Sequence, residues 1–418
     1  MFSLSDIPHD SDFSIHNIPF GVGSVGTGPL FCCTRIGDQV INLQALAQSA
    51  LFHDITDEIH VFSKPVLNDF ISLGKNITNA VRQRLQDVLK DGSSSIYMEP
   101  SVFFPSADVI MHLPVHIGDY TDFYSSIEHA TNVGMMFRDP ENALLPNWRH
   151  LPVGYHGRAS SIVISGTPIN RPWGQIKPKD ADMPIFSPTR RLDFELEMGF
   201  IIGRDTHLGS NVSPAEAENY IFGLVLFNDW SARDIQQWEY VPLGPFLAKN
   251  FASSMSPWIV TLEALEHVRV AGPEQKPAVL PYLRFEGAKN YDIYLEVSIT
   301  PAGFDETIVS RSNYKYMYWN MCQQIAHHTS NGCNLRVGDL MASGTISGPD
   351  EGSLGSMLEI SWGGQRPVTL TNGQIRAFIE DGDRVTMRGF GEKDGIRVGF
   401  GDVYNRIIND SWPGLTPE

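Results

Sequence analysis

No apolar run in these 418 residues approaches the roughly 20 that a helix needs to cross a bilayer; residues 220–227 are typical, and short. The first ten residues lack both a cationic start and an apolar core, so no signal peptide is expected. Cysteine is scarce: Cys32, Cys33, Cys322 and Cys333 form no CxxC pair and no repeated spacing. That pattern excludes a zinc ribbon and a disulfide scaffold, and it favours a reducing compartment. A cytoplasmic protein, without membrane contact, is the expectation. Basic residues are also short, 31 Lys and Arg against 48 Asp and Glu, for a formal net charge of −17. A polyanion is repelled by such a surface, so nucleic acid is excluded as a partner. A small anion is still admitted, provided a bound cation and a few basic groups reverse the field locally.

Several familiar motifs are missing as well. There is no Walker A sequence and no His-Glu-x-x-His. Gly21-Val22-Gly23-Ser24-Val25-Gly26 matches the dinucleotide fingerprint, but that motif must open a helix. Here Thr27-Gly28-Pro29 follows, and no helix can start on schedule. Gly344-Thr345-Ile346-Ser347-Gly348 is no nucleophile elbow, because its Ser stands one place late.

What is present is a globular composition, 42% hydrophobic and 19% charged. The 37 Gly and 27 Pro exceed the usual combined share of roughly 12% and favour turns and short strands. The length predicts two domains. Residues 39–43 read as a strand, and residues 76–90 as a helix stopped by Asp91-Gly92. Pro100, Pro105 and Pro114 mark a boundary. Beyond it, strands are predicted at 161–165, 192–202, 220–227, 293–300 and 357–362. Residues 171–188 and 272–281 read as surface loops. A helix is predicted from an Asn313 N-cap to His328, with Met317, Met321 and Ile325 on one stripe and His327-His328 as cations in its last turn.

The most informative stretch is Arg191-Leu192-Asp193-Phe194-Glu195-Leu196-Glu197-Met198. With a period of two, Asp193, Glu195 and Glu197 share one strand face. If that face is enclosed, the like charges need a counter-charge, and a hard cation held by oxygens supplies it. A solvated acidic face is the bland alternative. Asp229 ends an apolar run just before a helix, a frequent place for a ligating carboxylate. Ser231 and Asp234 have capping-box spacing, and Arg233, Gln236, Gln237 and Tyr240 fall on one face of the helix that follows. Such a face suits a carboxylate or an oxyanion. Ser125 and Glu128 repeat the capping spacing, which places His129 near a helix N-terminus, where the imidazole stays neutral and able to take a proton. Glu359, on the strand face opposite Leu358 and Ile360, is a candidate to orient that base.

These segments, with Tyr155-His156-Gly157-Arg158, resemble the fumarylacetoacetate hydrolase family over about residues 10–401. The resemblance implies a mainly β, α+β chain: an SH3-like barrel at 1–113, then a mixed β-sandwich roll at 114–418, assembled as a homodimer. It implies metal-dependent cleavage of 4-fumarylacetoacetate to fumarate and acetoacetate, the last step of tyrosine and phenylalanine breakdown. Ca2+ or Mg2+ is implied on Asp122, Glu195, Glu197 and Asp229, and a second cation site on Asp229, Lys249 and Ser253. His129 matches the general base and Glu359 its partner. Arg233, Gln236 and Lys249 match the oxyanion donors, and Tyr124, Arg138, Gln236, Tyr240 and Thr345 the substrate contacts. Two departures are visible. Ala252 and Ser253 replace a Gly-Thr pair, and Asp193 is no family ligand although it shares the acidic face. Acylpyruvate hydrolases, decarboxylases and tautomerases of the same scaffold are the alternative activities. A metal-binding protein without catalysis is the other alternative.

Overall fold

The structure is a computed structural model that describes residues 4–371 and 373–409. The first three residues of the leader expectation and the last nine of the expected second domain lie outside the described residues. The architecture is mainly β, with short helices between sheets.

The first sheet uses β1 (Phe20–Val25), β2 (Phe31–Ile36), β3 (Gln39–Asn42), β4 (Phe103–Pro105) and β5 (Val109–His112), in the order β4-β3-β2-β1-β5. Gly21 and Gly23 of the glycine motif lie inside β1, where packing explains them, while Gly26 stands just beyond it at φ +56°. A Cβ at Gly21 would sit 2.8 Å from the Trp258 ring, and one at Gly23 2.6 Å from Val109. Helix α1 (Lys75–Lys90) buries Val81, Leu85 and Leu89 at helical spacing and ends at Asp91, as its sequence predicts.

The central sheet has eight strands: β6 (Tyr120–Phe123), β7 (Gly154–His156), β8 (Ile162–Ile164), β9 (Leu196–Ile202), β10 (Ile221–Asp229), β11 (Ser253–Met255), β12 (Val260–Thr261) and β13 (Leu340–Ala342). Their order is β7-β6-β13-β9-β10-β11-β8, with β12 beside β10. Strands β9 and β10 are buried along their whole length, so they read as apolar runs and not as alternating ones. Each nonetheless sends alternate side chains to two different cores. Leu196, Met198, Phe200, Leu224 and Leu226 pack toward a six-stranded sheet that includes Ile293–Thr300 and Arg384–Lys393. Ile201, Val225 and Phe227 pack on the other side against Phe20, Phe62, Phe70 and Leu85 of the N-terminal third. The central sheet is therefore enclosed on both faces.

Four local expectations fail for identifiable reasons. The acidic strand is two strands: Leu192–Asp193 pairs with Ser231–Ala232, and only Leu196–Ile202 joins the central sheet. Residues 171–188 contain a hairpin, Trp173–Ile176 with Ile185–Pro188, whose prolines sit at its edges. The helix expected from Asn313 starts later. Asn313 caps a single turn, Tyr314–Tyr316, and the main helix α4 (Met321–Thr329) begins at Asn320, which forms a capping box with Gln323. Residues 357–360 form a short helix, α5 (Met357–Ile360), because Ser356 caps Glu359 N–H and overrides strand propensity. Two cap assignments also shift. Ser126, not Ser125, caps helix α2 (Ile127–Phe137). Ser231 lies in a strand and does not cap α3 (Arg233–Glu239).

Candidate active site

Register and parity assemble the acidic group. Asp122, Glu197 and Asp229 belong to the same alternation as Tyr120, Ile201 and Phe227, so they leave one face of the central sheet near one end. Glu195, at the kink before β9, joins them: the Asp229 N–H donates to the Glu195 carbonyl. All four carboxylates are buried, and each offers an oxygen within 4.8 Å of the others.

The chain satisfies some of these oxygens and not the rest. Lys249 Nζ bridges Glu195 and Asp229 Oδ2, the latter at 2.7 Å. Ser253 Oγ donates to Asp229 Oδ1 at 2.8 Å, and Tyr155 OH to Asp229 Oδ2 at 3.0 Å. Arg233 reaches Glu195 Oε1 at 2.8 Å. By contrast, Asp122 Oδ1 and Glu197 Oε1 are buried with no hydrogen-bond partner among the described residues.

The electrostatics follow that division. Burial by itself would raise Glu195, but Lys249 and Arg233 outweigh it and hold the carboxyl well below the usual range. Asp122 and Glu197 go the other way, pushed far up by burial first and by the neighbouring acids second. Burial opposes the Lys249 charge, yet Asp229 and Glu195 keep the amine protonated. With Asp193, five buried carboxylates face two buried cations, Arg233 and Lys249. A divalent cation bound by oxygen ligands fits this donor set and supplies partners for the two orphaned oxygens.

Beside the acids stands the histidine. Ser126 Oγ accepts the His129 backbone N–H at 3.1 Å and fixes the start of α2. His129 Nδ1 lies 2.6 Å from Glu359 Oε2. Glu359 also accepts from Asn132 Nδ2 at 2.9 Å, Ser347 Oγ at 2.9 Å and Ser356 Oγ at 3.0 Å. Burial disfavours its charge, but His129 and these donors hold the carboxyl below its ordinary value. An ionised Glu359 fixes the proton on Nδ1 and leaves Nε2 as the acceptor.

A cavity of about 630 Å³ joins the two groups. Asp122, Tyr124, His129, Arg138, Glu195, Arg233, Gln236, Tyr240, Lys249 and Thr345 line it. Glu197, Asp229, Ser253 and Glu359 stand behind its wall. Gln237 and Tyr155 line it too. Asp193 leaves the acidic face. It accepts Arg233 Nε at 2.8 Å and the Met357 and Leu358 N–H groups at 2.7 and 3.0 Å. Sequence reasoning gave no role to Tyr155, Asn132, Ser347 or Ser356. Two had a local signal: Asn132 follows His129 by three on a helix, and Ser356 precedes Glu359 by three.

A family model described as "Fumarylacetoacetate (FAA) hydrolase C-terminal" matches residues 120–408, and "Fumarylacetoacetase N-terminal" matches residues 16–114. Among curated proteins, fumarylacetoacetases of Homo sapiens, Dictyostelium discoideum and Arabidopsis thaliana are 48%, 51% and 47% identical to this chain. These alignments cover 99%, 97% and 97% of it, and 100%, 97% and 98% of the relatives. Among solved structures, a fumarylacetoacetate hydrolase from psychrophilic Exiguobacterium antarcticum aligns at TM-score 0.54 and 17% identity, covering 94% of this chain and 100% of that one. This last likeness is one of fold.

Proposed function

The chain belongs to the fumarylacetoacetate hydrolase family, and on that footing we propose that it hydrolyses a carbon–carbon bond of 4-fumarylacetoacetate to give fumarate and acetoacetate. The observation that carries this reading is the buried His129–Glu359 pair, 2.6 Å apart, on the same cavity as a four-carboxylate cluster. A base and a cation-binding group facing one space is what hydrolysis beside a carbonyl requires.

In this reading Asp122, Glu195, Glu197 and Asp229 hold Ca2+ or Mg2+. A divalent cation held there would supply Lewis-acid polarisation of the substrate carbonyl. His129 Nε2 takes a proton from water, whose oxygen bonds to the fumaryl carbonyl carbon. Glu359 steadies the imidazolium. Arg233, Gln236 and Lys249 donate to the oxyanion, each such donor being worth about 3 kcal/mol. Collapse breaks the carbon–carbon bond, and the imidazolium returns its proton to the departing acetoacetate carbon. Tyr124, Arg138, Gln236, Tyr240 and Thr345 hold the substrate. Lys249 and Ser253 shape the proposed second cation site through Asp229, since a protonated amine has no lone pair to offer a metal.

The proposal extends to a homodimer, a cytoplasmic location and a place at the end of tyrosine and phenylalanine breakdown, all on family resemblance. It extends also to an SH3-like barrel over 1–113 and a sandwich roll over 114–418. The gap between the two family matches, at residues 114 and 120, supports that division.

The test is loss of diketo absorbance with products identified by NMR, in the presence of Mg2+ or Ca2+. Equal amounts of fumarate and acetoacetate, abolished by a chelator, are expected. Release of CO2, or an isomerised substrate left intact, would overturn the reading in favour of another activity of the scaffold.

A further inference from the structure

Four cationic side chains line the cavity: Arg138, Arg191, Arg233 and Lys249. Two of them are neutralised by the protein itself. Arg233 pairs with Asp193 and Glu195, and Lys249 with Glu195 and Asp229. The other two have no acidic partner among the described residues. Arg138 donates Nε and Nη2 to the Ala143 carbonyl, at 3.1 and 2.8 Å, which leaves Nη1 open. Among the described residues, the hydrogen bonds of Arg191 are made through its backbone. Its N–H donates to Thr189 Oγ1 at 3.2 Å and its carbonyl accepts the Arg233 N–H at 2.9 Å. Its guanidinium stands 5.8 Å from the Phe378 ring centroid, a contact that leaves the in-plane N–H groups free.

We propose that Arg191 is a specificity-determining residue that takes one terminal carboxylate of the substrate, with Arg138 taking the other; this rests on the dicarboxylate substrate proposed above. The matching is by count and by chemistry. 4-Fumarylacetoacetate carries a carboxylate at each end, and two arginines of the cavity lining carry guanidinium groups that no acid among the described residues neutralises. A guanidinium offers a planar fork suited to a carboxylate, and an anchored backbone limits the freedom lost when it binds. A monocarboxylate would leave one fork unmatched, so the pair selects for dianions.

The test uses the full chain loaded with its divalent cation, in wild-type form and as Arg191→Gln and Arg191→Lys. Turnover of 4-fumarylacetoacetate and direct titration with fumarate and with acetoacetate are measured. The Gln variant should raise KM about tenfold or more, with the effect in KM rather than kcat, and should weaken binding of one of the two products. The Lys variant should recover part of the loss, because charge returns without the fork. An unchanged KM, or affinity lost equally for both products or for neither, overturns the role of Arg191. Should the wild type not cleave the substrate at all, the activity reading falls instead, and the product titrations still judge Arg191 independently.

Discussion

Arg233 Nε lies 2.8 Å from Asp193 Oδ2, and the same carboxylate receives the backbone N–H groups of Met357 and Leu358. One acid thus ties Arg233, the proposed oxyanion donor on α3, to the helix that carries Glu359. Asp193→Asn leaves one acceptor oxygen for three donors and turns an amide N–H toward them. We expect stability to fall by about 3 kcal/mol, as when one member of a buried ion pair is removed. We also expect kcat to fall by about 10²-fold through misplacement of Arg233 and Glu359. Urea unfolding and steady-state kinetics check both, and an unchanged kcat would show that the link is not used.

His129→Ala removes the proposed base without touching the four carboxylates. Turnover should drop by about 10²- to 10⁴-fold, the usual worth of a positioned base. The rise in thermal midpoint on adding Mg2+ or Ca2+ should survive. Near-normal activity in this variant sinks the assignment of the base.

Glu197 has an orphaned oxygen and a carboxyl pushed far up by burial and by the neighbouring acids. Glu197→Gln relieves that crowding. In chelator, the variant should therefore be more stable than the wild type. Addition of cation should reverse the order, since a ligand at a hundred times its Kd adds about 2.7 kcal/mol to the protein that binds it. Thermal scans with and without cation read both effects.

Asp339 supplies a pH signature away from the cavity. It accepts N–H groups of Asp119 and Arg336 at 2.9 Å each, yet burial outweighs these and pushes its carboxyl up to about 6. A folded value above the unfolded one means that the stability it contributes is full below about pH 4 and is lost as the pH rises through 6. The loss is on the order of 2–3 kcal/mol. Between pH 4.5 and 7.5, Asp339→Asn should lose less stability than the wild type in urea titrations, and parallel profiles would count against this account.

How far the sequence discloses this site depends on the kind of contact. Glu195, Glu197 and Asp229 announce themselves through strand parity and a strand end. Arg233, Gln236, Gln237 and Tyr240 do so through helical spacing, and all four line the cavity. The proposed roles of Asp122, Tyr124, Lys249 and Thr345 come from family resemblance, because no local pattern marks a residue whose partners lie on other elements of the chain. Periodicity also misleads about Asp193. It places Asp193 with Glu195 and Glu197, but the chain kinks at Phe194–Glu195 and turns Asp193 to Arg233. Glu359 is correctly paired with His129 although the strand that was to carry it is a helical turn. Gly344 shows the limit. Its N–H reaches Glu197 at 3.1 Å with φ +75°, and a Cβ there would meet Phe123 O at 2.2 Å. Nothing short of the folded chain reveals that need.

The strands that carry Glu197 and Asp229 are buried along their whole length, and the N-terminal third supplies one of their two linings, through Phe20, Phe62, Phe70 and Leu85 against Val225 and Phe227. Asp229 is two residues beyond Phe227 on the same strand. The front third of the chain is therefore no detachable ornament. Trimming it away would bare the very face of these strands from which Asp122, Glu197 and Asp229 project.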